Sequence, residues 1–396
     1  NHIRSNAMLP SVLDSRRFHG IVLCLCLCLC LCLGLLLQGH AWAVSAFVSP
    51  IASSHASFGI RHVLSSGEVA SISLKSMVES ANASEADGLI AVEKYEYNGW
   101  KLTYRYIPPS PGYEAAEPLV LVHPVGVGLS SWFWEKFMAS WKGGAVLAPN
   151  LIGCGLEDGN DRFDPDVRGM SVPLDWAKAI EALIQEKVIT PASTTISCII
   201  VVQGGLAPVG VLLAARNPES VVSKLVLTSP PTWDEMTTAT PESELERNYQ
   251  LYRSKTWGGL AFAVLESPWA VRLFSNLFLF LSECDDRWVE LATSKDATTV
   301  EARPPIMMFN SGLLQHRSYE EELRELEQAV LVVSGSGDKR AQKRREFGSE
   351  MKYCTLTSIE GTNVLPWEAP KEVCEAIAFF STYAVEQSSG ETFSKK

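Results

Sequence analysis

Few residues in this sequence are equipped for covalent chemistry. Past residue 88 there are two histidines, His123 and His316, so a proton shuttle built on imidazole must use one of them. Outside an apolar leader the cysteines are Cys154, Cys198, Cys284, Cys354 and Cys374. They are widely spaced, with no CxxC pair and no Cys/His cluster, which indicates neither a zinc site nor a disulfide framework. One carboxylate stands out. Asp338, in Gly335-Ser336-Gly337-Asp338, closely follows the apolar run Val330 to Val333. A second run, Cys198 to Val202, leads into Gln203-Gly204-Gly205-Leu206. These glycines, with Gly210, do not form a phosphate-binding loop. No metal, nucleotide or flavin signature appears, so no cofactor is expected.

The elements that must position these groups are regular from Val92 onward. Glu93 to Tyr97, a turn at Asn98-Gly99, and Lys101 to Ile107 read as a β-hairpin. Leu119 to Val122, Ala145 to Ala148, Cys198 to Val202, Leu225 to Leu227 and Val330 to Val333 are short continuous apolar runs, the mark of strands buried on both faces. Helical patterns lie between them, at Leu174 to Ile184 and Val209 to Arg216. This alternation predicts an α/β protein with a mostly parallel sheet flanked by helices. Between about 232 and 327 strand signals stop and helical segments take over, at Glu242 to Arg253, Gly259 to Leu265, Trp269 to Leu281, Arg287 to Thr293 and Tyr319 to Leu326. This stretch reads as an inserted helical cap. Its segment 269–281 is rich in Phe and Leu, and is expected either to pack on the core, to line an apolar pocket, or to touch a membrane surface peripherally.

The chain of 396 residues, 46% of them hydrophobic, can bury a sizeable core. A formal net charge of -11 argues against a nucleic-acid partner, because no surplus of Lys and Arg exists to neutralise phosphate. The front end reads as an address. After leader residues up to Ala7, Met8 is followed by Arg16 and Arg17, an apolar run from Ile21 to Leu37, and small residues from Ala41 to Ala46. That is the layout of a secretory signal peptide over residues 1–46. The alternative is a retained membrane anchor, although the run is shorter than the ~20 residues a span needs. Val44-Ser45-Ala46-Phe47-Val48-Ser49-Pro50 resembles the junction motif of proteins bound for secondary plastids of algae. Residues 47–88, rich in Ser and Ala, have transit-peptide composition. The expected organisation is then a folded domain over 89–387, a disordered tail over 388–396, and a plastid location, with the secretory pathway or a membrane anchor as the alternative.

Six landmarks in order resemble the α/β-hydrolase superfamily across nearly all of Val92 to Ala384. They are His123-Pro124-Val125-Gly126, then Ser131-Trp132-Phe133-Trp134, then Ala148-Pro149-Asn150-Leu151-Ile152-Gly153-Cys154-Gly155, then Ala214-Ala215-Arg216-Asn217-Pro218-Glu219-Ser220-Val221, then Gly335-Ser336-Gly337-Asp338, and last Glu368-Ala369-Pro370-Lys371-Glu372-Val373. The opening His123 to Ser130 together with Gln203-Gly204-Gly205 is similar to a cyanobacterial and plastid hydrolase-like group with a degenerate elbow.

The resemblance implies roles that this chain fills incompletely. Active members carry a serine on a strained strand-to-helix turn, a histidine base and an orienting acid. By the family's spacing the nucleophile position falls on Gly204 and the base position on Asn363, while Asp338 retains the acid position. Glycine has nothing to attack with, and a neutral amide does not shuttle protons near pH 7. Losing the serine or the histidine of such a site removes on the order of 10⁶ in turnover. The resemblance further implies that Asp338 accepts a hydrogen bond from Asn363. It assigns the oxyanion turn, with His123, to backbone N–H groups at Val125 and Gly205, and leaves Gln203 either lining the cleft or bonded within the elbow. The expected function is non-catalytic binding of a small apolar ligand or a protein partner. The alternative is a hydrolase or esterase using displaced residues, with His316 the remaining candidate base and Ser229 and Cys154 the nearby nucleophiles.

Overall fold

The computed structural model describes residues 90–189 and 196–388, with side chains to 382. The expected signal peptide and transit segment lie outside these residues. So does the tail, except Ser388, which ends the last helix.

Eight strands form one sheet in the order β1-β2-β4-β3-β5-β6-β7-β8. They are β1 (Ala91–Tyr97), β2 (Trp100–Ile107), β3 (Leu119–Val122), β4 (Val146–Pro149), β5 (Cys198–Gln203), β6 (Val222–Thr228), β7 (Ala329–Gly335) and β8 (Cys354–Ile359). The β1–β2 hairpin is antiparallel and β2 pairs antiparallel with β4. The remaining pairings are parallel. Fully buried β3 and β5 explain their unbroken apolar sequences: side chains alternate between faces, and both faces are covered. Val120, Val122, Ile200, Val202, Leu225 and Leu227 join the core on one face. Their neighbours Leu119, Leu121, Ile199, Val201 and Val226 join the core on the other.

The helices follow in chain order: α1 (Glu135–Ser140), α2 (Leu174–Leu183) and α3 (Ala207–Arg216). Between β6 and β7 come α4 (Trp233–Thr237), α5 (Glu242–Arg253), α6 (Trp257–Leu265), α7 (Pro268–Phe278), α8 (Asp286–Ala292), α9 (Arg303–Asn310) and α10 (Glu320–Glu325). The chain closes with α11 (Ala341–Arg344), α12 (Glu346–Glu350), α13 (Leu365–Glu368) and α14 (Pro370–Ser388). The helical insertion expected between the sheet strands is therefore present, and α9 is an element that the sequence pattern did not disclose. Among the described residues no helix is long and apolar enough to cross a membrane.

An aromatic cluster fastens the cap to the sheet domain. The rings of Trp132, Trp288 and Trp367 lie edge to face at centroid distances of 5.3 to 5.4 Å. Each buried indole N–H has an acceptor: Gly128 O, Ser275 Oγ and Asp285 Oδ2 respectively. Asp285, which also caps α8 through Trp288 N–H, pairs with Lys136 of α1. Segment 269–281 divides its residues between two surfaces. Ala270, Val271 and Ser275 are buried, whereas Trp269, Leu273, Leu277 and Leu281 are exposed.

Candidate functional site

A cavity of about 30 Å³ opens where β3, β5 and β6 end, with room for a water molecule or a small head group. At its floor β5 runs through Gln203 into a single 3-10 turn, Gly204–Leu206, and then α3. Gly204 has φ +61°, in the left-handed region that L side chains avoid, and a Cβ there would meet nothing within 4 Å. A Cβ at Gly205 would strike the Phe309 ring at 2.6 Å, so close approach of α9 requires glycine at that position. The tip of the bend after β5 is thus Gly204. Phe309, which the sequence did not bring forward, fills the space beside it.

Gln203 both lines the cavity and ties its walls together. Its Nε2 donates to Asn363 O at 2.5 Å, and its Oε1 accepts from Thr228 Oγ1 at 2.6 Å. The ends of β5 and β6 and the loop before α13 are joined through this one side chain.

The structure corrects the expected bond between Asp338 and Asn363. The Asp338 side chain, 6% exposed, accepts from Arg344 Nε at 2.6 Å and from Arg340 N–H at 2.9 Å. A charged guanidinium outcompetes a neutral amide for a carboxylate, because the charge-assisted bond is roughly twice as strong. Asn363 turns instead to the C-terminus of α7. Its Nδ2 donates to Phe278 O at 2.7 Å and its backbone N–H to Leu279 O at 3.2 Å, satisfying carbonyls that the helix end leaves without partners. Arg344 is 3% exposed and lines the cavity, and burial holds its pKa below the usual guanidinium range against the pull of Asp338. Its Nη1 has no hydrogen-bond partner.

His123 is fully buried beneath the site. Leu151 N–H donates to its Nε2 at 3.1 Å, which leaves the proton on Nδ1, directed to Pro124 O at 2.8 Å. Burial lowers its pKa to about 4, against the bond to Pro124 and the charge of Asp158. A neutral imidazole with both nitrogens engaged holds the turn after β3 to the loop after β4, and Val125 from that turn lines the cavity. His316 is exposed, bonded through Nδ1 to Leu313 O, and is not part of the cavity wall. Cys154 is buried and burial pushes its thiol pKa far up; it too lies outside the wall. Ser229 does line the cavity, at φ +45°, with its hydroxyl donating to Thr362 O at 3.1 Å. Among the described residues Arg344 is the one ionisable side chain in the wall, whose remainder includes Leu129, Pro230, Pro231, Leu279 and Val364. Among the described residues, too, no three His, Cys, Asp or Glu side chains converge as a metal site requires.

A mostly parallel sheet with a helical cap between β6 and β7, and a strand-turn-helix bend under a cavity at the strand ends, define the α/β-hydrolase class of protein. The chain belongs to the alpha/beta hydrolase family, whose sequence pattern matches residues 119–376. Solved structures agree at the level of fold. The haloalkane dehalogenase DbeA from Bradyrhizobium elkani is 20% identical with a TM-score of 0.55, over 76% of this chain and 99% of that one. A membrane phospholipase A, a bacterial virulence factor, is 17% identical with a TM-score of 0.53, over 78% and 90%. The ancestral haloalkane dehalogenase AncHLD2 is 19% identical with a TM-score of 0.54, over 74% and 98%. No curated protein sequence matches the chain.

Proposed function

We propose that this chain is a plastid member of the family with a degenerate triad, and that it binds a small ligand in the old active-site cleft without hydrolysing it. One observation carries the reading: among the described residues, the wall around Gly204 holds no imidazole and no carboxylate, and its sole ionisable group is Arg344. Acyl transfer needs a nucleophile activated by a base within hydrogen-bond reach. Gly204 supplies no nucleophile, Asn363 no base, and Asp338 is committed to Arg344. The test is incubation of the full chain with an activated ester and a fluorophosphonate. The expected result is no turnover and no label above the heat-denatured control. Hydrolysis abolished by Asp338→Ala would overturn the proposal.

The rival reading, a hydrolase with displaced residues, draws on Ser229, a strained serine in the wall. Its hydroxyl gives its proton to a backbone carbonyl rather than to a base. Label lost in Ser229→Ala and retained in Asp338→Ala would favour that rival.

A peripheral contact with a lipid surface is a second reading, supported by one specific feature. Trp257 and Leu260 of α6, and Trp269, Leu273 and Leu277 of α7, are exposed, with Leu277 at 61%. Leu281 continues this surface, and Leu279 beside it reaches the cavity wall. Apolar side chains with tryptophans among them suit the headgroup boundary of a bilayer. Flotation with vesicles of plastid lipid is expected to carry the full chain upward, and a Leu273→Glu/Leu277→Glu variant to remain below. Equal flotation of the two would exclude this surface.

A further inference from the structure

We infer that the cavity is a carboxylate-binding site, with Arg344 as the group that recognises the anion. The inference rests on the non-catalytic reading above and names the ligand chemistry of the same cleft. A guanidinium carries five N–H donors in a rigid fork. Arg344 engages Asp338 through Nε, while its buried Nη1 has no partner. A buried charged donor left unsatisfied is strongly destabilising, and native proteins keep such groups chiefly where a ligand, ion or water completes them.

The surroundings select the group that completes it. Asp338 has both oxygens engaged, one by Nε and one by Arg340 N–H, and it is not part of the cavity wall. Val125 and Gly205 line the same cavity, and Gly205 lies in the turn leading into α3, whose N-terminal end favours negative charge. Among the described residues no acidic side chain lies in the wall to repel an anion. Arg344 is the one charged group in the wall among the described residues, so the carboxylate enters first. Leu129, Leu279 and Pro231 offer an apolar path for a short tail. A planar carboxylate matches the guanidinium fork.

The test is calorimetric titration of the full chain with acetate, butyrate and octanoate, each against its primary amide, which has the same shape without the charge. The carboxylate is expected to bind at least tenfold more tightly than its amide. Arg344→Gln is expected to lower carboxylate affinity by about ten- to a hundredfold, in line with loss of a charge-assisted bond, and to leave the amide unchanged. Because Arg344→Gln strips Asp338 of its partner and can fail to fold, Asp338→Asn provides the second arm. It keeps the arginine, removes the competing negative charge, and is expected to tighten carboxylate binding about tenfold. A purely structural Arg344–Asp338 pair would not move the two variants in opposite directions. Equal affinity for acid and amide, or binding of neither, overturns the inference while leaving the non-catalytic reading intact. Ester turnover by the unmodified chain overturns that reading instead.

Discussion

Gly204→Ser restores a hydroxyl at the tip of the bend after β5, and the surrounding geometry fixes its consequences. The new Cβ meets nothing within 4 Å, so no neighbour must move. The backbone there has φ +61°, and an L residue held in that region is destabilised by about 1–2 kcal/mol. Loss of glycine's freedom in the unfolded chain offsets about half of this, leaving a net change near 1 kcal/mol. In a domain of this size that lowers Tm by roughly 2–4 °C. The variant is expected to fold, melt slightly early, and remain unlabelled by fluorophosphonate, because the wall holds no imidazole among the described residues. Adding Asn363→His breaks the bond to Phe278 O, worth about 1 kcal/mol. It still leaves Asp338 with Arg344, so the imidazole has no acid to orient it. The double variant is expected to label slowly. Thermal melts and time-resolved labelling of both variants decide the matter. Rapid labelling of Gly204→Ser alone would refute the reasoning, since it requires a base within reach of residue 204. So would a Tm drop beyond about 10 °C, which would mean that the site is not open.

Four further outcomes are expected. His123 loses its proton at about 4 in the folded chain, against the ordinary ~6.5 when unfolded, so stability is lower at acid pH and rises with pH across that window by roughly 3 kcal/mol. Urea melts at several pH values are expected to show this rise, and His123→Gln to flatten it. Asp285 is held below its usual carboxylate range, because burial, which opposes this, is outweighed by Lys136 and the bonds from Trp288 and Trp367. A depressed acid stabilises the fold above its unfolded pKa near 3.9 and loses that contribution as pH falls lower, so Asp285→Asn is expected to remove a fraction of the acid lability that only appears below about pH 4. Phe309→Ala is expected to destabilise by about 3 kcal/mol and to let longer-tailed ligands bind, measured by melts and calorimetry. Gln203→Met removes two buried hydrogen bonds and is expected to lower stability by about 1–3 kcal/mol without abolishing folding, as urea melts would register.

The sequence disclosed most of the sheet because its central strands are covered on both faces and so are apolar throughout. β8 escaped notice for the opposite reason: it lies at the sheet edge, and Cys354–Ile359 carries Thr355, Thr357 and Ser358 with little burial. α9 carries Pro304-Pro305 in its first turn, where proline is tolerated but no apolar helical period announces the element. With α9 went Phe309, the ring that limits the cavity. Arg344 sits within Lys343-Arg344-Arg345, a run with the look of a solvated surface. Only the fold turns it inward to Asp338, and no local pattern encodes that direction. The bond foreseen between Asp338 and Asn363 failed because spacing along the chain carries no information about competitors that arrive from elsewhere.

The indoles of Trp132, Trp288 and Trp367 come from three separate stretches: the turn after β3, cap helix α8, and α13 near the end of the chain. Packed this closely, their electronic transitions couple, and the coupling depends steeply on ring separation. The near-ultraviolet circular dichroism of the protein therefore carries an intrinsic gauge of whether the insertion is seated. A lifting motion of the cap would remove the contribution of Trp288 and leave that of the Trp132–Trp367 pair, and the displacement could be followed in real time without attaching any dye.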